Sequence, residues 1–143
     1  MTDYLLDTNV LSEFGRSTIP PHPHVKRWVE SANPDALFTS VLCLGEIRKG
    51  IELLPPSRKR SELEQWLNTG LNGWFGNNLL PITKVISNRW GALDAQMQQK
   101  GRRLGNIDGL IAATALEHGL TVITRNTRHF EDLGVTLLDP WSA

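Results

Sequence analysis

A single cysteine, Cys43, among 143 residues leaves no partner for an internal disulfide. The fold must therefore be held by its core, and a lone thiol suits a reducing compartment. No apolar run is long enough to cross a bilayer, and the first residues lack the basic-then-apolar pattern of a secretory leader. A cytoplasmic protein with no membrane partner is expected. Charge of one sign is missing too: 15 Lys and Arg balance 15 Asp and Glu. That excludes a protein coating nucleic acid or membrane through its overall charge, though not one with a local basic rim. No repeat, low-complexity segment or linker divides the chain. Residues 1–143 read as a single domain, and an apolar share of 40% is enough for one packed core.

What is present is an alternation of short apolar runs and amphipathic segments. Tyr4-Leu5-Leu6 reads as a buried strand stopping at Asp7-Thr8-Asn9, with Thr8 or Asn9 capping a short helix from Val10. Residues 17–23 read as a proline-broken loop and residues 25–31 as a short helix. Residues 36–39 read as a second strand, after which Ser40 caps a helix to about Leu54. Ser57 opens a long helix whose Leu63, Trp66, Leu67, Leu71, Trp74 and Phe75 form one apolar stripe. Residues 79–82 suit an edge strand because of Pro81. Thr83 caps the next helix, with Ile86, Trp90, Leu93 and Met97 on its core face. Asn106 is expected to cap an Ala-rich helix over residues 107–118. Residues 120–124 and 135–138 then read as strands, with a short helical segment between them. Strands alternating with helices predict an α/β fold: a three-layer α/β/α arrangement around a central parallel sheet of about five strands.

Four polar residues recur at revealing places. Asp7 closes the first strand at its carboxyl end, where open α/β sheets bind ligands; alone, it is equally a turn or capping acid. Glu46 borders the apolar stripe of its helix, where a carboxylate is costly unless it pairs, with Arg48 or Lys49, or binds a metal. Asp108 opens the Ala-rich helix, where an acid also complements the helix dipole. Gly109 beside it permits a close approach of backbone or ligand. Asn126 follows the fourth strand, flanked by Arg125, Arg128 and His129, and has the ordinary reading of a turn Asn. Parallel topology can bring all four to one edge, and clustered carboxylates favour a hard divalent cation, Mg²⁺ or Mn²⁺. His22 and His24 sit in a proline-rich loop with no cysteine near and do not read as a metal pair. Cys43 reads as a small core residue.

Four stretches in this order resemble the PIN-domain family, and more closely its VapC/FitB-type toxin branch. They are residues 5–12 around Asp7, residues 40–50 around Glu46, residues 107–115 around Asp108, and Thr124-Arg125-Asn126 with Phe130. Asp139-Pro140-Trp141 also fits. The resemblance implies a Mg²⁺- or Mn²⁺-dependent endoribonuclease, the toxin of a toxin–antitoxin pair. It implies that Asp7, Glu46 and Asp108 are the acidic metal ligands, with Asn126 standing where many members carry a fourth Asp. Thr124 matches a hydroxyl position that supports the acidic pocket, beside Thr8 and Asn9 of the first motif. Arg125, Arg128 and the basic loop of Lys100, Arg102 and Arg103 are expected to guide an RNA backbone. A cognate antitoxin protein and a homodimer are the implied partners, and the Trp66/Trp74 stripe offers apolar surface for either. Two rival readings stand beside this one. An Asp-nucleophile phosphatase of haloacid-dehalogenase type would want a second acid where the chain has Asn9. A catalytically weakened domain would act as a nucleic-acid- or protein-binding module, its acids serving as caps.

Overall fold

In a computed structural model, which describes residues 1–16 and 18–142, five parallel strands pair in the order β3-β2-β1-β4-β5. They are β1 (Tyr4–Leu6), β2 (Leu37–Ser40), β3 (Leu79–Leu80), β4 (Thr121–Ile123) and β5 (Leu137–Leu138). β1 is central. Leu5 and Leu6 are both fully buried, as a strand covered on both faces requires. Leu5 lies in register with Phe38 of β2 and Val122 of β4. β3 lies at an edge, consistent with the proline that follows it.

The connections explain the layers. From β1 through β2 to β3 the chain steps outward in one direction, then returns across the sheet to place β4 on the other side of β1. Right-handed crossovers therefore set α1 (Thr8–Glu13), α2 (Pro23–Ser31), α3 (Val41–Glu52), α4 (Arg58–Gln65) and α5 (Leu71–Phe75) on one face. They set α6 (Lys84–Gln99) and α7 (Asn106–His118) on the other. α1 and α4 each pack on α3, and α6 packs on α7. This is the expected α/β/α arrangement. The direction of strand order reverses between β1 and β4, which opens a crevice beyond their carboxyl ends.

Several local expectations change. Asp7, not Thr8 or Asn9, caps α1: its Oδ1 accepts the Thr8 backbone N–H at 2.8 Å. α2 starts at Pro23, whose fixed φ suits a first helical turn, and the His22 ring accepts the His24 N–H at 3.2 Å. The expected loop thus ends earlier; Ser17 within it lies outside the described residues. The long helix from Ser57 is interrupted after α4 by a π-helical turn over Trp66–Gly70 before α5 resumes. The Trp66 ring fills that turn so closely that a Cβ on Gly15 or Gly70 would come within 2.6 or 2.9 Å of it. Asn106 is the first residue of α7 rather than its cap. Gly105 holds the cap position in an extended conformation with no side-chain bond, and Asp108 supplies the first-turn charge.

Gly109 admits a side chain rather than a ligand. A Cβ there would meet the Trp90 ring at 2.8 Å and Leu104 at 3.0 Å, so the α6–α7 contact beside Asp108 depends on its absence. Gly109→Ala gains helix propensity of up to about 1 kcal/mol but overpacks a rigid indole at a cost of roughly 1–3 kcal/mol. A lower melting temperature is expected by thermal denaturation; an unchanged or higher one would show that α6 yields freely.

Candidate active site

The crevice between β1 and β4 is organised by one carboxylate. Asp7 follows the last residue of β1, and its N–H still bonds to the Ile123 carbonyl at 3.0 Å. The ladder thus carries the side chain to the rim while only 4% of the residue stays exposed. Its Oδ2 accepts the Thr124 hydroxyl at 2.9 Å and, more weakly, the Asn9 amide at 3.4 Å. The Thr124 oxygen in turn accepts from the Asn9 amide at 3.1 Å and from the Asn126 N–H at 3.0 Å. A hydroxyl has one proton and two lone pairs. With two N–H donors on the lone pairs, the proton of Thr124 is directed to Asp7. Asn9 is a strut here, its oxygen accepting the Arg125 N–H at 3.1 Å. It does not offer the second acid a phosphatase of the rival type would want.

Burial pushes the Asp7 carboxyl up to about 6. The hydrogen bonds from Thr124 and Thr8 oppose that rise, and the charges of Asp108 and Glu46 add to it. Both other acids thus press their field on Asp7. Glu46 reaches across from α3, and its Oε1 accepts the Thr8 hydroxyl at 2.5 Å. It pairs with neither Arg48, which is engaged by Glu52, nor Lys49. Among the described residues, ligand atoms of Asp7, Glu46 and Cys43 all lie within 4.8 Å of one another. Burial pushes the Cys43 thiol up to about 11, with the charge of Asp7 adding to the shift. Cys43 therefore stays a neutral thiol, its sulfur 3.8 Å from the Leu6 carbonyl. It lines the hollow, but the oxygens are what a hard cation would meet.

Asp108 is outside that tight group. Its Oδ2 lies 3.0 Å from the His129 Nδ1. The sequence showed His129 only as a neighbour of Asn126; its pairing with Asp108 requires the short 3₁₀ turn Thr127–Phe130 to pack on α7. Asn126 is exposed. It reaches the hollow through its backbone N–H, and its side-chain amide makes no hydrogen bond among the described residues. The basic residues divide. Arg102 is committed to Asp132 at 2.8 Å and to the Glu131 carbonyl at 3.2 Å. Arg103 and Arg128 have no carboxylate partner among the described residues and share with Asp108 and His129 a recess of about 340 Å³. Arg125 lies against the Trp141 ring, 5.6 Å from its centroid.

This arrangement can bind a cation through oxygen ligands and receive an anion along a rim of unpaired arginines. Comparison with known proteins gives it a family. A VapC ribonuclease, Y4jK, of Sinorhizobium fredii is 32% identical over 96% of this chain and 96% of its own length. The toxin FitB of Neisseria gonorrhoeae is 32% identical over 96% of this chain and 97% of its own. The crystal structure of FitAcB from Neisseria gonorrhoeae superposes with a TM-score of 0.88 at 31% identity, covering 98% of this chain and 99% of that one. The PIN domain model matches residues 4–135, which includes all three acids and Thr124, and the chain belongs to the PIN domain family.

Proposed function

We propose that the chain is a metal-dependent endoribonuclease, the toxin of a toxin–antitoxin pair, with Asp7, Glu46 and Asp108 holding Mg²⁺ or Mn²⁺. The observation that carries this is the buried Asp7 carboxylate with Glu46 beside it and the field of Asp108 on it. Such anions repel one another, and a divalent cation among their oxygens relieves that repulsion. The names of the ribonuclease and toxin relatives support the reading of substrate and role.

Each side chain then has a task. A bound divalent cation supplies Lewis acidity at the phosphodiester. Asp7 and Asp108 would be its principal ligands, and Glu46 would hold a water on it or act as that water's base. Thr124 and Asn9 fix the rotamer of Asp7, and Thr8 fixes Glu46. His129 orients Asp108 through a contact to its Oδ2, an oxygen that would also be a ligand for a cation. Asn126 offers a neutral carbonyl at the rim, adding no charge to the cluster. Arg103, Arg125 and Arg128 bind backbone phosphates, while Arg102 serves mainly to tie its loop to Asp132. A recess of about 280 Å³ runs from Glu46 over Ile47, Ile51, Leu63 and Trp66. It is the proposed seat of an antitoxin segment, and the chain pairs as a homodimer.

RNA cleavage with Mg²⁺ tests the assignment. Asp7→Asn and Asp108→Asn are each expected to lose on the order of a hundredfold or more. Thr124→Val, which removes the proton directed at Asp7, is expected to lose roughly 10–100-fold. Activity equal to wild type in the Asp7 and Asp108 variants would reject the site.

Stability gives an independent readout. The folded-state value for Asp7 lies above its ordinary 3.8, at about 6. The metal-free fold therefore binds a proton more tightly than the unfolded chain does. The contribution of Asp7 to stability is greatest below that window, falls as pH rises through it, and costs about 3 kcal/mol above it. The melting temperature of Asp7→Asn relative to wild type is expected to rise between about pH 4 and pH 7.5. Mg²⁺ or Mn²⁺ should then recover stability in wild type and not in the variant. A difference independent of pH and of metal would contradict the proposed site.

A further inference from the structure

One recess on the same rim is built from groups that the metal chemistry leaves idle. Glu13, Arg16, Pro20, His22, Arg125 and Trp141 line a hollow of about 500 Å³. The backbone behind its aromatic wall is tied down: the Trp141 backbone N–H donates to the Asp139 Oδ1 at 2.8 Å, and the Trp141 backbone carbonyl lies 3.0 Å from the His24 Nδ1. The Arg125 guanidinium stands over that ring. The Arg125 N–H donates to Asn9, whose amide bonds to Thr124 and Asp7. The cation–ring pair is thereby linked to the acidic hollow through a single side chain.

The charges in this recess are unevenly answered. Glu13 already accepts from Arg16 at 2.5 Å and from the His22 N–H at 2.9 Å. Arg125 has no carboxylate partner among the described residues. An aromatic face with an unneutralised cation over it recognises a flat π-system attached to negative charge. In a strand of RNA, that is an unpaired base next to its phosphate. A duplex keeps its bases stacked inward and cannot offer one.

We propose that this recess is a nucleobase subsite, in which one unpaired base of an RNA strand crossing the acids stacks on the Arg125–Trp141 pair. The proposal rests on the ribonuclease reading above and adds to it a place for one base. It separates two kinds of contact: Arg103 and Arg128, in the recess that Asp108 lines, meet backbone only, whereas Trp141 meets a base.

The test measures binding of a short fluorescein-labelled single-stranded RNA of mixed sequence to metal-free protein, with cleavage of the same RNA assayed after Mg²⁺ is added. Trp141→Phe keeps a π-face and Trp141→Leu keeps only apolar bulk. The Leu variant is expected to bind roughly tenfold more weakly or worse, and the Phe variant to stay close to wild type. The salt dependence of binding should be the same in both, because no phosphate contact is lost. A duplex of the same sequence should bind all three proteins alike. Should the Leu variant melt lower than wild type, Arg125→Gln replaces it, with single-strand binding expected to weaken by a larger factor than duplex binding, since a phosphate contact alone would weaken both alike. Equal binding by the Phe and Leu variants, or Arg125→Gln weakening both RNAs alike or neither, overturns the subsite while cleavage by wild type leaves the ribonuclease reading intact. A wild-type protein that neither binds nor cleaves the RNA overturns both.

Discussion

An anion is held where water would not hold it. Asp7 sits at the end of a central strand, nearly sealed from solvent, with two further carboxylates close enough to raise its proton affinity. Everything around the crevice either compensates for that placement or uses it. The ladders continue one residue beyond each strand: the Asp7 N–H bonds to Ile123 of β4, and the Thr124 N–H bonds to Leu138 of β5. That extension brings the carboxylate and its hydroxyl partner face to face. Without the reversal of strand order between β1 and β4, the two residues would not share a rim.

The hydrogen bonds at this point serve structure and site together. Asp7 caps α1 with one oxygen and receives Thr124 with the other. One residue thus serves as a helix cap and as the buried acid at the head of the crevice. The cap supplies a donor to an anion that needs donors, and the anion satisfies a helix end. Thr8 extends the link to α3 through Glu46, and Asn9 extends it to Arg125. Four elements, α1, α3, β1 and β4, are thus registered by side chains from three consecutive sequence positions and a threonine more than a hundred residues away.

The neutrality of the whole chain conceals a sharp local division. On α4, Arg60 answers both Glu52 and Glu64, and Arg102 answers Asp132. Such exposed pairs contribute little stability, but they remove charge from the surface field. Among the described residues, Arg103, Arg125 and Arg128 are not answered in this way; Arg103 and Arg128 share a recess with Asp108, and the Arg125 backbone bonds to Asn9. Unpaired positive charge thus lies near the acids, although the total charge gives the chain no general attraction for polyanions.

Local periodicity was enough to read the strand and helix order and the parallel sheet, because burial on one face repeats within a few residues; the four stretches that mark the family were legible as a resemblance carried by residue identity. It placed Asp7 at a strand end and Glu46 on the edge of a stripe for the same reason. Cap identities slipped by a residue or two, since Ser, Thr, Asp and Asn compete for the same backbone N–H groups and only the final φ and ψ choose among them. The sequence had no means of showing that His129 takes Asp108, that Trp90 lies against Gly109, that Trp66 occupies a π-helical turn, or that Arg102 is already paired. Each of those contacts joins elements separated in sequence, and its geometry is set by how helices pack on the sheet. Residue type and spacing by themselves determined which groups are candidates for the chemistry. Only tertiary packing decided which of them meet and which cations were left without a partner, because distance in space is fixed by the whole core and not by any segment of it.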